Sequence, residues 1–256
     1  MSRVDGRTFD SLRPVEMTVG FHRLAEGSVL YRAGGTVVLC TASVDESVPK
    51  FMEPAAGRGW VTAEYLMHPR ANPKRQDRDG RGRAPSGRTQ EIQRLVGRAL
   101  RAAVELDKLG ARTITIDCDV LEADGGTRTA SITGGFVALA LAIHKITQKK
   151  LLSVPVLRAP VAAVSAGIME SSEQLLDLCY VEDSKAEVDF NVVATAAGAV
   201  IELQGTAEGA PVPRAQIDTL VDLCLRGVTQ LTERQRAALS GAGVSLDTLL
   251  VGGGTR

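Results

Sequence analysis

Apolar side chains recur along this chain with two periods. Residues 113–121 read Thr-Ile-Thr-Ile-Asp-Cys-Asp-Val-Leu, and Ile114, Ile116, Cys118 and Val120 fall at every second position. That alternation predicts a half-buried strand. Strands are also predicted over 15–21, 28–32, 36–44 and 59–68, with Ala33-Gly34-Gly35 closing a hairpin between the second and third. The period then changes. Ile92, Leu95, Val96, Ala99, Leu100, Ala103 and Val104 recur at helical spacing, with Ser86 as N-cap and Gly110 as the stop. A second helix is predicted over 131–147, where Ser131 opens a run containing Ile132, Phe136, Leu139, Leu141, Ile143 and Ile146.

The second half repeats this order. Residues 155–169 supply strand material, and strands are predicted over 175–181 and 187–196. The last of these turns at Ala197-Gly198 into 199–204, and a helix runs from Pro213 to Leu231. Each half is strands, a glycine hairpin, more strand, then helix. The pattern predicts an α+β fold of two similar β-sheet and helix halves packed as one domain over residues 1–240. Residues 241–256, rich in glycine, are expected to form a flexible tail. The polar arm 1–13 is expected to stay mobile or to wrap a neighbour.

Composition is ordinary for a globular chain of 256 residues, at 44% hydrophobic and 23% charged. The formal net charge is zero, so there is no bulk attraction for polyanions. The charges are segregated, however. Residues 70–88 hold Arg70, Lys74, Arg75, Arg78, Arg81, Arg83 and Arg88 against Asp77 and Asp79, whereas 170–210 hold nine acids and the single base Lys185. This distribution suggests a polyanion path beside a carboxylate-lined site. The stretch 69–87, with three prolines and three glycines among its arginines, reads as a long exposed loop. Cys40, Cys118, Cys179 and Cys224 sit in apolar patterns without zinc-type spacing, as expected of reduced thiols in a cytoplasmic protein. No signal peptide pattern is visible, no apolar run is read as membrane-spanning, and no membrane partner is expected.

Two stretches carry candidate chemistry. Asp124-Gly125-Gly126-Thr127-Arg128-Thr129-Ala130-Ser131 lies at a strand-to-helix turn. Glycines there allow close approach of a ligand, helix N–H groups favour an anion, and Arg128 offers a planar fork for phosphate. Arg88 stands at another predicted helix start. The second stretch, 181–191, holds Glu182, Asp183, Glu187 and Asp189. Its carboxylates could ligate a magnesium ion, or one could protonate a leaving oxygen. His22, His68 and His144 share no metal or triad spacing. The G-x-S-x-G, G-x-x-x-x-G-K-[ST] and G-x-G-x-x-G patterns are absent. The residue types therefore favour phosphorus chemistry on a polyanion over acyl transfer or zinc hydrolysis.

Nearly the whole chain resembles the bacterial ribonuclease PH family, phosphate-dependent exoribonucleases of transfer RNA 3′ ends related to polynucleotide phosphorylase and exosome ring subunits. The resemblance rests on Arg3-Val4-Asp5-Gly6-Arg7, on Gly87 through Leu95, on Glu122 through Ser131 and on Glu182 through Asp189. It implies the duplicated α+β fold and a phosphate site at Arg88, Gly126, Thr127 and Arg128. It implies essential carboxylates at Asp183 and Asp189, which place magnesium or assist the leaving 3′ oxygen. It assigns Arg70, Arg75 and Arg78 to RNA binding and ring assembly. The implied reaction uses inorganic phosphate as co-substrate to release nucleoside diphosphates from transfer RNA precursors and other RNA 3′ ends, reversibly. The implied assembly is a homohexamer, a trimer of dimers. A few extra residues at 169–177 read as a loop insertion. Two other readings stay open here. One is a silent RNA-binding ring subunit, against which intact Arg128, Asp183 and Asp189 argue. The other is a small-molecule phosphotransferase, against which the basic loop argues.

Overall fold

The computed structural model describes residues 3–82 and 84–253. Arg83 of the basic loop and the last three residues of the tail lie outside them. The first sheet contains β1 (Val15–Val19), β2 (Gly27–Ala33), β3 (Thr36–Asp45), β4 (Trp60–Met67) and β5 (Thr113–Glu122), in the order β1-β2-β3-β5-β4. β1, β2, β3 and β5 pair antiparallel, but β4 runs parallel to β5. A parallel pair needs a long crossover. Here the crossover is the basic loop followed by α1 (Gly87–Ala102) and the short α2 (Leu106–Leu109). The second sheet contains β6 (Val161–Ile168), β7 (Gln174–Leu176), β8 (Val188–Thr195) and β9 (Val200–Ala207), in the antiparallel order β7-β6-β8-β9. A single helical turn, α4 (Tyr180–Asp183), lies between β7 and β8, and α5 (Arg214–Gly241) packs on β6 and β8.

The helix α3 (Thr127–Gln148) is the centre of the molecule. It packs on β2 and β3 on one side and on β6 on the other. Its composition explains how it fits. Gly134 faces Cys40 and Tyr31, where an added Cβ would come within 2.9 Å of the Cys40 sulfur, so the helix axis can approach the sheet closely. On the sheet, Val38, Cys40 and Ala42 pair with Val120, Cys118 and Ile116 and form one apolar face beneath it. Polar stitches fix its height. The Thr133 hydroxyl bonds both the N–H and the C=O of Ala163, and Gln235 Nε2 on α5 donates to the carbonyls of Thr133 and Val161 at 2.9 Å each. By length and composition α3 could cross a membrane, contrary to the reading that no run reaches that length. Its apolar surface is instead enclosed by both sheets, which explains why it shows no polar face. All four cysteines are buried and free.

Several boundaries differ from the sequence reading. α3 starts at Thr127 rather than at 131, because its polar first turn carries no apolar periodicity. α1 ends at Ala102, where the N–H groups of Ala103 and Val104 close a turn and Val104 bridges Leu157, so Gly110 terminates the separate α2. The strand predicted over 175–181 stops at Leu176. Asp177 adopts a positive φ of 55° and turns the chain into α4. Pro213 is the N-cap of α5, and that helix continues past Leu231 to Gly241.

The tail and the arm differ most. Leu246, Leu249 and Leu250 are buried in the main core, and Leu250 bridges Leu157. The tail residues 241–253 are therefore packed rather than flexible. Arg3 and Arg13 are buried as well, so the arm is fixed to its own chain rather than mobile. Replacing a buried leucine with alanine typically costs about 2–5 kcal/mol. Leu249→Ala should lower unfolding stability by about 2–4 kcal/mol in denaturant titration. A loss below about 0.5 kcal/mol, the scale of a surface change, would show that the tail does not pack.

Candidate active site

The site begins with three arginines of the N-terminal arm. Arg3 donates from Nε and Nη2 to the two Glu182 oxygens at 2.9 and 2.7 Å, and also to the carbonyls of Leu176 and Asp177. Arg13 forks onto Asp177 at 3.1 and 2.7 Å and reaches the Asp124 carbonyl at 2.6 Å. Arg7 adds a bond to the Asp177 carbonyl at 3.1 Å. These contacts hold both the bend at Asp177 and the turn α4 against the start of α3. Burial alone would raise the Glu182 carboxyl. The Arg3 bonds and charge, with the Cys179 N–H, outweigh that and hold it below its ordinary value of 4.5.

Gly125 and Gly126 both have positive φ, 74° and 64°. The sequence suggests that they open the backbone to a ligand. The space is instead filled by the chain itself: a Cβ on Gly125 would lie 2.8 Å from the Leu178 carbonyl, and one on Gly126 would lie 2.8 Å from Arg13 Nη2. The glycines thus seat α4 and Arg13 directly on the turn that starts α3. Gly126 is the N-cap, so Thr127, Arg128 and Thr129 form the first turn. Their N–H groups have no intrahelical acceptor, and the helix dipole adds positive potential there. The Thr127 hydroxyl bonds the buried Tyr65 phenol at 2.9 Å. Burial raises the Tyr65 pKa, while the Thr127 bond and the nearby Arg88 and Arg128 charges partly offset the rise. Arg128 Nη1 donates to Gln204 Oε1 on β9 at 3.0 Å and lies 3.7 Å from Glu91.

Asp183, the last residue of α4, is exposed at the rim. Crowding beneath it raises its pKa first, and the Asp189 carboxylate raises it further. Arg128, Arg88 and Arg13 pull the other way. The same electrostatic neighbourhood therefore contains Arg88, Arg128, Asp183 and Asp189, four residues from α1, α3, α4 and β8. Asn191, two residues along β8, donates to Asp189 at 3.3 Å. The four clustered acids of the sequence are separated by the fold: Glu182 turns inward to Arg3, and Glu187 stays exposed. Among the described residues no group of three or more His, Cys, Asp or Glu forms a metal cage. Two repelling carboxylates still suit magnesium, which commonly uses one or two protein carboxylates and takes other oxygens from substrate and water.

The basic loop is more ordered than its composition suggests. Gln76 N–H bonds the Pro69 carbonyl at 2.8 Å, and Ala71 is buried. Asp79 accepts bonds from the Thr89 hydroxyl and from the N–H and hydroxyl of Ser86. These bonds, the Thr89 hydroxyl foremost, lower its pKa to about 2. Asp79 thus ties the loop to the start of α1, next to Arg88, although the sequence marked it only as a countercharge. Arg70, Arg75 and Arg78 are exposed on this loop. The charges that act on Asp183 are those of Asp189, Arg128, Arg88 and Arg13, whereas Arg78 of the loop acts on Asp119.

The chain matches the model of the 3′ exoribonuclease family, domain 1, over residues 11–144 and that of the same family, domain 2, over residues 159–227. It belongs to this family. Its fold is similar to that of rice (Oryza sativa) Rrp46, with a TM-score of 0.75 at 18% identity over 93% of this chain and 100% of that one. It is also similar to a chain of the Archaeoglobus fulgidus exosome with RNA bound to the active site, with a TM-score of 0.75 at 24% identity over 91% and 92% of the two chains. An archaeal exosome core chain gives 0.69 at 21% identity over 91% of each. At these identities the likeness is one of fold.

Removing one partner of a buried ion pair typically costs about 3–5 kcal/mol. Arg3→Met should therefore destabilise the protein by about 3 kcal/mol or more. Because the folded Glu182 pKa is depressed, this stabilisation is complete above the unfolded value of 4.5 and is lost as pH falls through the folded one. The difference between parent and variant should shrink in acid, and a pH-independent difference would count against the pair. Asp183 has the opposite sign. Its raised pKa means that ionisation at neutral pH opposes folding. Asp183→Asn should leave the melting temperature unchanged or raise it, measured without ligands; a clear fall would contradict the raised pKa.

Proposed function

We propose that this chain, as a member of the 3′ exoribonuclease family, is a phosphorolytic 3′-to-5′ exoribonuclease that trims transfer RNA 3′ ends with inorganic phosphate. The observation that carries the reading is that the Arg88 and Arg128 charges act together on Asp183, next to Asp189, and on Tyr65, which bonds Thr127 in the first turn of α3. Inorganic phosphate needs no base to become a nucleophile. It needs its charge screened and its oxygen aligned with the 3′-terminal phosphorus. Arg88, Arg128, the Thr127 hydroxyl and the N–H groups that follow Gly126 supply that screen. A phosphate oxygen bonds to the terminal phosphorus, and the bond from that phosphorus to the preceding 3′ oxygen breaks. The electron pair passes to the 3′ oxygen, which takes a proton, and a nucleoside diphosphate leaves. Because a phosphodiester is exchanged for a phosphoanhydride, the step runs in both directions.

Asp183 and Asp189 would hold magnesium, which supplies charge neutralisation at the leaving 3′ oxygen. In place of that metal role, the raised pKa of Asp183 suits it to carry the proton that the oxygen needs. Arg70, Arg75 and Arg78 would contact the transfer RNA backbone and neighbouring subunits of a homohexameric ring. The segregated charge supports this reading, since a basic loop on a neutral chain concentrates polyanion affinity in one place. The Archaeoglobus fulgidus exosome, solved with RNA at its active site, offers the parallel on the same fold. Such RNA processing belongs in the cytoplasm.

Losing an ionic partner of a bound oxyanion typically costs about 2–4 kcal/mol, or about 30- to 1000-fold. Arg128→Ala and Arg88→Ala should raise the phosphate concentration needed for RNA degradation by that order while the fold survives. Both variants retaining the parent phosphate dependence would remove the assignment. Reversing the charges of Arg70, Arg75 and Arg78 should flatten the salt dependence of transfer RNA binding by about two to three log units per log unit of salt. An unchanged slope would make the loop a passive solvated surface.

A further inference from the structure

We propose that Gln204 is a positioning residue, one that fixes the Arg128 guanidinium for phosphate from the edge strand of the opposite sheet. The inference rests on the reading of Arg128 as a phosphate ligand. Gln204 lies on β9, across from Asn191 of β8, two register steps from the Asp189–Thr206 pair and so on the same face of the sheet. Its side-chain oxygen accepts from Arg128 Nη1 at 3.0 Å. Its amide donates to Glu91 at 3.2 Å and to Glu202 at 3.1 Å. Glu202 is in turn forked by Arg98 of α1, at 2.9 and 2.6 Å. These groups come from α3, β9 and the exposed face of α1, and Gln204 hydrogen-bonds to both helices.

The chemistry at position 204 is specific to an amide. The oxygen must accept from a guanidinium, while the nitrogen must donate to two carboxylates. A hydrocarbon does neither, and a carboxylate would face Glu91 and Glu202 with like charge. Because Gln204 takes only Nη1, the Nε and Nη2 donors of Arg128 stay available for an anion. A long side chain loses rotamer freedom on binding unless that freedom has already been lost in the free protein. Gln204 removes that freedom in advance. Arg98 and Glu202 brace Gln204 through its amide nitrogen.

The test compares Gln204→Met, Arg98→Met and Arg128→Ala, with RNA degradation measured across a phosphate titration and phosphate binding measured by calorimetry. Gln204→Met keeps the side-chain shape and should raise the phosphate KM by about 10-fold or more, the size expected on losing a hydrogen bond to a charged group. kcat at saturating phosphate and the RNA KM should stay near the parent values. Arg98→Met should raise the phosphate KM in the same direction by a smaller factor, which keeps the inference testable if Gln204→Met folds poorly. In the Arg128→Ala background, Gln204→Met should add no further loss. A purely structural role would lower the melting temperature without moving the phosphate KM. If Arg128→Ala raises the phosphate KM while Gln204→Met and Arg98→Met stay within about twofold of the parent, Gln204 does not position Arg128 and the phosphate reading survives. If all three leave it unchanged, the phosphate reading fails with it.

Discussion

The site depends on one buried electrostatic junction. Arg3 and Arg13, from the N-terminal arm, meet Glu182 and Asp177, from the far half of the chain, where all four side chains are nearly free of solvent. Charges taken out of water are costly unless each is paired and hydrogen-bonded. Here each fork is bidentate, and the remaining donors reach backbone carbonyls. The junction therefore specifies one path for residues 176–183. That path ends at Asp183, held above the first turn of α3. Without it, nothing covalent or apolar would keep that carboxylate beside Arg128, because the apolar cluster under α4 consists only of Leu175, Leu178 and Ala186 with Met169 against it.

The junction also explains the glycines. Gly125 and Gly126 allow α4 and Arg13 to press onto the start of α3, and any side chain at 125 would meet backbone atoms rather than yielding ones. Two elements distant in sequence are thereby brought to one helix terminus whose N–H groups point outward. The second sheet completes the enclosure. β8 brings Asp189 and β9 brings Gln204, while α1 contributes Arg88 and Glu91 from the first sheet. The site is thus shared between the two halves, and neither half carries a complete one.

Much of this was legible in the sequence, and the reasons for the rest are physical. The alternation at 113–121 and the glycine hairpin at 33–35 gave strands because one face of each is buried and the other is not. Arg128, Asp183 and Asp189 stood out because charged and hydroxyl side chains gathered at turns. Tyr65 and Gln204 did not. Each is a single polar side chain within a strand pattern, and its role is set by partners more than 60 positions away in the chain. The arm was misread because arginines in a polar stretch look solvated, and their partners, Glu182 and Asp177, look like surface acids. The tail was misread because three leucines among glycines give no periodicity, and Leu249 to Val251 pair with the distant Leu157. Long-range pairing of this kind leaves no local signature.

Phosphate and water are the two candidate nucleophiles for a 3′ phosphodiester, and the proposed function takes the first. The most direct measurement is incubation of the protein with RNA, magnesium and radiolabelled orthophosphate, followed by separation of the nucleotide products. Phosphorolysis predicts that the label enters nucleoside diphosphates released one at a time from the 3′ end, and that release stops without phosphate. Unlabelled nucleoside monophosphates formed at the same rate with and without phosphate would contradict it.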